Sequence, residues 1–330
     1  MLWFFLLFST GCWGLAEIFY KKGNVPNERY AHLKTTVFVG IFLGIYSLVI
    51  VLTQDVRIEY LPANIIRYLP VAACYIVSMV CSYYGVRYIE ESISDPIENT
   101  SCAVVPVLCA VFLHQKLSIN NIIAIIIIVI GILGVVIFDS DGQADRTRAF
   151  GKKLALIGLA MPFCYMILDA TGTFLDIYYT TDAKTSVLIG VTQSNLAHTV
   201  NCCYEFTFLL VAIGILIFLK MKKVRLFYTE EDEAQISAGK QPEKKNAVQK
   251  IYGQRNKILA AVCETGAQAT FIFALSEGSG IAAVILGAGT VIISFILSRI
   301  ILKERLSALQ YAFIAVIFAG IIYFSLTGSG

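Results

Sequence analysis

The chain has 330 residues, of which 57% are hydrophobic and 15% are charged, and its formal net charge is +3. Soluble domains have about 45–50% apolar and about 25% charged residues, so these values indicate a protein that resides in a lipid bilayer. The net charge is too small, and the basic residues are too dispersed, for a nucleic-acid partner.

Ten apolar segments are long enough to cross a membrane, which takes about 20 residues and at least about 17. Each must be helical, because lipid cannot satisfy the polar groups of an open backbone. The sequence therefore predicts an all-α integral membrane protein with ten transmembrane helices. The predicted spans are Leu2–Tyr20, Thr36–Thr53, Leu69–Tyr88, Ser94–Leu113, Ile119–Phe138, Leu154–Leu175, Tyr204–Met221, Ile258–Leu275, Gly280–Leu302 and Ala308–Leu326.

Two connections in the second half of the chain are long. Residues 178–203 form a polar insert with some apolar residues, and residues 222–257 contain TEEDEAQISAGKQPEKKNAVQK. The second stretch mixes acids, lysines, glycine and proline without an apolar period, which is typical of a solvated, flexible loop.

The two halves of the chain resemble each other at a fixed offset of 189 positions, which relates Cys74 to Cys263 and Gly131 to Gly320. The segments FLHQKLS and ILKERLS align at the same offset, so we predict an internal repeat. The first five-helix unit covers residues 1–138, a linker covers 139–153, and the second unit covers 154–327 with both inserts. Because five is odd, the second unit is inverted in the membrane, an architecture typical of secondary transporters that bind their substrate near the midplane.

Charge predicts the orientation of the chain. Of the 26 basic residues, only four fall on the face that also carries the termini: Arg57, Arg67, Lys116 and Lys184. The positive-inside rule therefore puts residues 222–257 in the cytoplasm and both termini outside, in a multi-pass protein of the plasma membrane.

Three segments carry a resemblance to a known family. ILSRIILKERLSALQYAFIAVIFAGIIYFSL, FSTGCWGLAEIFYKKG and YYGVRYIEESIS resemble the last helices, the first helix and the third-to-fourth junction of an EamA-type unit of the drug/metabolite transporter superfamily. The resemblance implies a ten-helix secondary transporter of small metabolites that is not an enzyme and needs no cofactor. It also implies that helices one, three, four, six, eight and nine surround the pore, and that both termini are cytoplasmic, against the charge distribution.

Metal and enzyme sites are not expected from the residues themselves. The nine cysteines include no C-x-x-C pair, and there are only three histidines, so a zinc site is not predicted. Neither H-E-x-x-H nor G-x-S-x-G occurs in the sequence.

Carboxylates inside the predicted spans are the strongest candidates for a site, because a charge at the bilayer centre costs at least about 2.5–3.5 kcal/mol. Glu17, Asp169 and Glu264 lie in spans one, six and eight. Glu17 also resembles the glutamate that binds protons and cationic drugs in small multidrug resistance proteins. A structural alternative for Glu17 is an ion pair with Lys21 across one helical turn.

The segment IEESISDPIENTS, residues 89–101, is unusually acidic for a junction between two apolar runs. We expect Glu90 and Glu91 to be solvated in a loop. Asp95 and Pro96 are typical of a helix start, and acids in a first turn have a purely structural explanation in the helix dipole. By the resemblance, however, Glu98 points into the pore, with Asp95 and Asn99 as further candidates.

Aromatic and amide side chains complete the predicted site. Aromatic faces beside carboxylates bind ammonium groups, although tyrosine and tryptophan near span ends also anchor helices at the interface. These candidates are Trp13, Tyr75, Tyr83, Tyr84 and Gln268.

The leading hypothesis is therefore alternating-access transport of a small organic metabolite, cationic or zwitterionic, such as an amine or an amino acid. Protonation of the carboxylates is a candidate coupling step, lipid is the surrounding partner, and the protein is a monomer or a homodimer. The alternative is a membrane sensor or scaffold that signals through residues 222–257, which could bind a partner or anionic lipid.

Overall fold

The computed structural model describes residues 2–114, 117–138, 140–180, 186–242, 244–277, 281–304 and 306–327. This part of the chain is helical and has no strand. The helices are α1 (Leu2–Gly23), α2 (Ala31–Thr53), α3 (Leu61–Gly85), α4 (Glu91–Glu98), α5 (Ser101–Phe112), α6 (Ile119–Ile137), α7 (Ser140–Phe150), α8 (Lys152–Thr180), α9 (Leu196–Met221), α10 (Glu230–Ser237), α11 (Ala247–Gly253), α12 (Arg255–Glu277), α13 (Ile281–Leu297) and α14 (Ala308–Thr327).

Several of these helices suit a membrane. Among the described residues, four are long and apolar enough to cross one: Ala31–Thr53, Ile58–Gly85, Lys152–Tyr179 and Leu196–Met221. Three shorter apolar helices are Ile119–Val135, Gly289–Leu302 and Ala308–Phe324. Lys116, Lys184 and Gly280, which the sequence-based topology used, lie outside the described residues.

The predicted fourth span, Ser94–Leu113, is not continuous. Helix α4 ends at Glu98 and helix α5 begins at Ser101. Asn99 Nδ2 donates to Asp95 O (3.2 Å) and Thr100 Oγ1 donates to Pro96 O (2.8 Å). Side chains that bond to nearby carbonyl groups compete with the regular helical ladder, which explains the interruption at this point.

The two long connections contain more helix than the sequence predicts. Helix α9 begins at Leu196, eight residues before the predicted span, so only residues 181–195 separate it from α8. Residues 222–257, predicted to be a solvated and flexible loop, contain α10 and α11. Both helices begin with a capping box, formed by Thr229 and Asp232 in α10 and by Asn246 and Gln249 in α11. Reciprocal caps satisfy free N–H groups at a helix start, which explains how so polar a stretch forms helices.

Four helix pairs make the most extensive contacts: α1 with α12, α2 with α9, α3 with α8, and α6 with α14. Helices α6 and α14 run antiparallel, since Gly131 lies against Ile317 and Gly320 lies against Ile128. Helix α1 also packs along α13 at Gly14, where a Cβ would meet Ile293 Cγ2 at 2.5 Å. The segment α4 contacts α8 and α13, so it lies between helices from the second half of the chain.

Candidate functional site

The acidic side chains of several helices meet around α4. Helix α12 contributes Glu264, whose two oxygens accept from Trp13 Nε1 (3.2 Å) and Tyr20 OH (2.9 Å) of α1. The Tyr20 ring lies 4.4 Å from the ring of Tyr83 on α3. Glu264 is therefore held by two neutral donors against an aromatic wall.

Helix α4 contributes two further buried acids. Ser94 Oγ donates to Glu98 Oε1 at 2.8 Å, and the Glu98 side chain is buried. Asp95 accepts from Asn99 Nδ2 at 2.7 Å and from Ser294 Oγ of α13. The expectation that Asp95 and Pro96 begin a helix was wrong, because α4 starts at Glu91 and Pro96 lies inside it.

The start of α4 is stabilised from the other half of the chain. Glu304 follows the π-helical turn Ser298–Leu302, and its Oε1 accepts from the backbone N–H of Glu91 at 3.0 Å. Its Oε2 accepts from Ser92 N at 2.9 Å and Ser92 Oγ at 2.6 Å. A carboxylate that accepts from the free N–H groups of a first turn acts as a helix cap. This contact explains why the helix begins several residues earlier than the sequence indicates.

Glu91 was wrongly expected to be solvated. Its side chain is 1% exposed, and its Oε2 has no hydrogen-bond partner among the described residues. Glu90, in contrast, remains about a third exposed and pairs with Arg146 of α7. Helix α1 supplies Glu17, which is half-buried as a whole but whose Oε2 is also enclosed and unpartnered.

Asp169 of α8 completes this group, which we name the central acids: Glu17, Glu91, Asp95, Glu98, Asp169 and Glu264. Asp169 hydrogen-bonds Ser101 and interacts electrostatically with Glu98 and Glu264. Glu17 interacts electrostatically with four other members of the group. The ion pairs among the described residues all involve acids outside this group.

The predicted aromatic residues do not all meet at this site. Trp13 and Tyr83 lie beside Glu264. Tyr75 is near α8, since its hydroxyl donates to Thr173 Oγ1 at 3.1 Å. Tyr84 instead contacts His32 and Tyr88 and lies under the Arg87 guanidinium. Gln268, one turn beyond Glu264 on α12, is half-buried.

A second cluster of charges, the loop-side network, consists of Glu28, Lys34, Glu233 and Lys257. The Lys34 ammonium lies 2.9 Å from Glu28 Oε1 and 3.0 Å from Glu233 Oε1, and its side chain is 0% exposed. Lys257 Nζ pairs with Glu28 Oε2 at 2.7 Å. This network attaches α10 to the starts of α2 and α12.

The described residues include no group of three or more histidine, cysteine, aspartate or glutamate side chains arranged to hold a metal ion. The central acids come from four helices, α1, α4, α8 and α12. What they offer is negative charge beside aromatic faces, which suits an organic cation or a proton.

Comparison with known proteins gives a family match for the first part of the chain. Residues 1–137 match the EamA-like transporter family. That family is part of the drug/metabolite transporter superfamily, so the resemblance read from the sequence is confirmed over this stretch. A search of the curated proteins found no match.

The EamA match covers α1 to α6 and so includes Glu17, Glu91, Asp95 and Glu98. It indicates a membrane transporter. Such a protein would bind a small-molecule substrate and membrane lipid. One segment that resembles the family, ILSRIILKERLSALQYAFIAVIFAGIIYFSL, lies near the C-terminus, outside the matched residues.

Proposed function

We propose that the protein is a secondary transporter that moves a small cationic or zwitterionic organic solute, such as an amine or an amino acid, by alternating access. The observation that carries this proposal concerns the central acids. Asp95, Glu98 and Glu264 accept from hydroxyl, amide and indole donors, and no ion pair among the described residues involves a central acid. Buried carboxylates are stable when paired or protonated. An ammonium group is the partner that this site lacks.

Aromatic side chains beside the acids support an organic cation over an inorganic one. Tyr20 and Tyr83 pack with their rings tilted by 45°, and Trp13 packs edge-on against Phe271 at 5.1 Å between ring centroids. A cation near such faces gains about 0.5–2 kcal/mol from the ring quadrupole. Ammonium groups with attached carbon also gain from contact with the apolar ring surface.

Alternating access between two inverted five-helix units is supported by the symmetry of the packing. The Gly131–Ile317 contact becomes the Gly320–Ile128 contact when 189 is added to one partner and subtracted from the other. A two-fold relation makes contacts reciprocal in this way.

The interruption between α4 and α5 also favours transport. Broken helices near the midplane are typical of the binding sites of secondary transporters. In this chain the break at Asn99 and Thr100 directly follows Glu98 and lies one turn from Asp95. The proposed solute site is therefore the volume among α1, α3, α4, α8, α12 and α13, with Asn99 and Gln268 as neutral hydrogen-bonding groups.

The substrate class is tested with the purified protein by thermal shift and then by uptake into proteoliposomes. We expect stabilisation by amines or amino acids and none by sugar phosphates or nucleosides. Glu98→Gln should abolish the shift, and Glu59→Gln, which changes an exposed glutamate, should not. The proposal fails if Glu17→Gln and Glu98→Gln both leave solute uptake and its pH dependence intact.

The inverted repeat is tested by a pair of equivalent substitutions. In Gly131→Ala the new methyl group would lie 2.5 Å from Ile317 Cγ1, and in Gly320→Ala it would lie 2.7 Å from Ile128 Cγ1. Overpacking of this kind costs about 1–3 kcal/mol, so both variants should lose similar stability. Gly214→Ala, where nothing lies within 4 Å, is the matched control and should be neutral or slightly stabilising. Loss of stability in only one of the equivalent variants contradicts the repeat.

In the proposed orientation, residues 222–257 lie in the cytoplasm of a plasma-membrane protein. The alternative function, a sensor or scaffold that signals through this loop, is less favoured because the loop's charges bind within the molecule, Glu233 to Lys34 and Asp232 to Lys245. Replacing residues 238–246 by a Gly-Ser linker separates the two functions. Retained uptake is expected, and a folded variant without uptake would contradict a purely structural loop.

A further inference from the structure

A basic segment lies at the end of α9, on the side of the molecule that carries residues 222–257. Lys220, Lys222, Lys223 and Arg225 occur within six consecutive positions, and all four side chains are exposed. The ion pairs among the described residues involve none of them. The positive charge of this segment is therefore not paired with an acid in the described part of the chain.

A groove with a volume of about 540 Å³ opens at this segment. Its basic lining consists of Lys220, Lys223 and Arg225, and the described residues contribute no acid to it. The rest of the lining is aliphatic and consists of Leu216, Leu219, Val224 and Leu226. Small-molecule sites have volumes of about 300–1,000 Å³, so the groove has the size of a ligand site. Its lining suits a ligand with both an anionic and an apolar part.

The backbone at the groove adopts a turn that glycine would fit better than lysine. Helix α9 ends in a Schellman motif, in which Val224 N donates to Leu219 O at 2.9 Å and Lys223 N donates to Lys220 O at 3.0 Å. Lys223 has a φ of 57° and occupies the left-handed position where glycine is usual. A side chain with a Cβ is uncommon in this conformation. A lysine at such a position indicates that its ammonium group has a role at the groove.

The groove is continuous with an apolar helix face. Residues Leu196–Met221 form one of the helices that are long and apolar enough to cross a membrane. Ile213, Ile217 and Met221 are exposed at intervals of four residues, so they lie along one face of α9. Lys220 follows Ile217 by three positions and lies on the same side of the helix. A surface of this kind is covered by acyl chains in a bilayer, and it ends at the basic groove.

We propose that this groove binds one anionic phospholipid from the adjacent membrane leaflet. The lipid phosphate lies among Lys220, Lys223 and Arg225, and the acyl chains lie along the exposed aliphatic face of α9. Arginine binds phosphate with two parallel hydrogen bonds and lysine binds it as a point charge. Basic pockets at the cytoplasmic ends of transmembrane helices bind acidic lipid headgroups in this way.

The lining favours a lipid over a soluble anion. A soluble phosphate would satisfy the three cations but would leave the aliphatic side chains of the groove uncovered, whereas a phospholipid covers both. In the proposed orientation the groove faces the cytoplasmic leaflet, which carries the anionic lipids. The site is separate from the central acids and does not depend on which solute is transported.

The site is tested first by native mass spectrometry of the delipidated full-length protein, titrated with phosphatidylglycerol or with phosphatidylcholine of the same acyl chains. The unchanged protein should retain one phosphatidylglycerol in preference to phosphatidylcholine. A double variant, Lys220→Gln with Lys223→Gln, should lower the affinity for phosphatidylglycerol about thirtyfold. The matched control, Lys240→Gln with Lys250→Gln, removes the same charge from exposed lysines outside the groove and should bind normally. Equal losses in the two double variants, or equal retention of the two lipids, would overturn the proposal.

The second test separates lipid binding from the stability of the fold. Lys223→Gly removes the ammonium group and relieves the left-handed backbone, so the melting temperature of the lipid-free protein should stay unchanged or rise. Added phosphatidylglycerol should raise the melting temperature of the unchanged protein and raise that of Lys223→Gly much less. Inorganic phosphate at the same concentration should raise neither. An equal rise with phosphate would assign the groove to a soluble anion, and an equal rise with phosphatidylglycerol in both proteins would exclude Lys223 from a lipid site; either result contradicts the proposal.

Discussion

The central acids and the loop-side network are two buried acidic regions whose carboxylates have different kinds of partner. In the loop-side network, Glu28 lies between Lys34 and Lys257 at 2.9 and 2.7 Å, so its charge is neutralised within the molecule. In the centre, Glu98 and Glu264 receive hydroxyl and indole donors but no described cation. The charge of the first region is neutralised within the molecule, whereas the proposed function gives the second region a cationic solute or a proton as its partner.

This difference separates structural charge from functional charge. Burial alone does not distinguish the regions, since Lys34 and Asp95 are both almost fully buried. What differs is the chemistry of the partner, because a neutral donor leaves the carboxylate charge uncompensated while a lysine cancels it. The predictions that follow test this distinction at positions with progressively smaller expected effects.

The largest effect is expected at Lys34. Lys34→Ala leaves Glu28 and Glu233 without their shared cation, and breaking a buried pair in this way costs about 3–5 kcal/mol. The free energy of unfolding in detergent should fall by that amount. Lys250→Ala removes an exposed lysine and should change it by less than about 0.5 kcal/mol. Equal free energies of unfolding for the two variants would contradict a structural role for the loop-side network.

An intermediate effect is expected at Glu304, an acid that accepts from backbone N–H groups at the start of α4. Glu304→Ala removes the acceptor for Glu91 N and Ser92 N, and loss of a helix cap costs about 0.5–2 kcal/mol. Hydrogen exchange in α4 should accelerate, while exchange in α6 should not change. Unaltered exchange at Glu91 and Ser92 would show that another group caps this helix.

The smallest effect concerns Asp232 in α10. Burial alone would raise the pKa of Asp232, but Lys245, 2.8 Å away, and the hydrogen bonds from Thr229 outweigh it and hold the pKa below its ordinary value. Because the pKa is lowered in the folded state, the ionised carboxylate contributes stability above the ordinary carboxyl pKa. This stability is lost as the pH falls through the lowered pKa.

The rate of amide hydrogen exchange in residues 229–239, corrected for its intrinsic pH dependence, should therefore rise only below about pH 4. Asp232→Asn should raise it already at neutral pH, while Glu231→Gln, which changes an exposed neighbour, should behave as the unchanged protein. A rise at neutral pH in the unchanged protein would mean that the Asp232–Lys245 pair does not hold α10.

The sequence was sufficient for the uniform apolar helices. Helix α6 covers Ile119–Ile137 and α14 covers Ala308–Thr327, each within one residue of the prediction at both ends. A long apolar segment bounded by polar residues must be helical in lipid, so the local composition determines where the helix begins and ends. The offset of 189 likewise anticipated which glycines pack at equivalent positions, Gly131 and Gly320.

The α3–α4 junction was not predictable in the same way. Glu91 is buried because Glu304, 213 residues later in the chain, accepts from its backbone N–H and draws the helix start inward. Asp95 is held partly by Ser294, 199 residues away. Local capping rules assigned Asp95 and Pro96 to a helix start because they evaluate neighbours in sequence, and these partners come from the other half of the chain.

The most direct test of the central claim is uptake of an amine into proteoliposomes by the unchanged protein, Glu98→Gln and Glu59→Gln. A hydrogen-bonded charge in the site is worth about 1.5–3 kcal/mol, so Glu98→Gln should lower the affinity for the amine roughly tenfold to a hundredfold, with Glu59→Gln unaffected. Equal affinities for the amine in all three proteins would contradict a site built on the central acids.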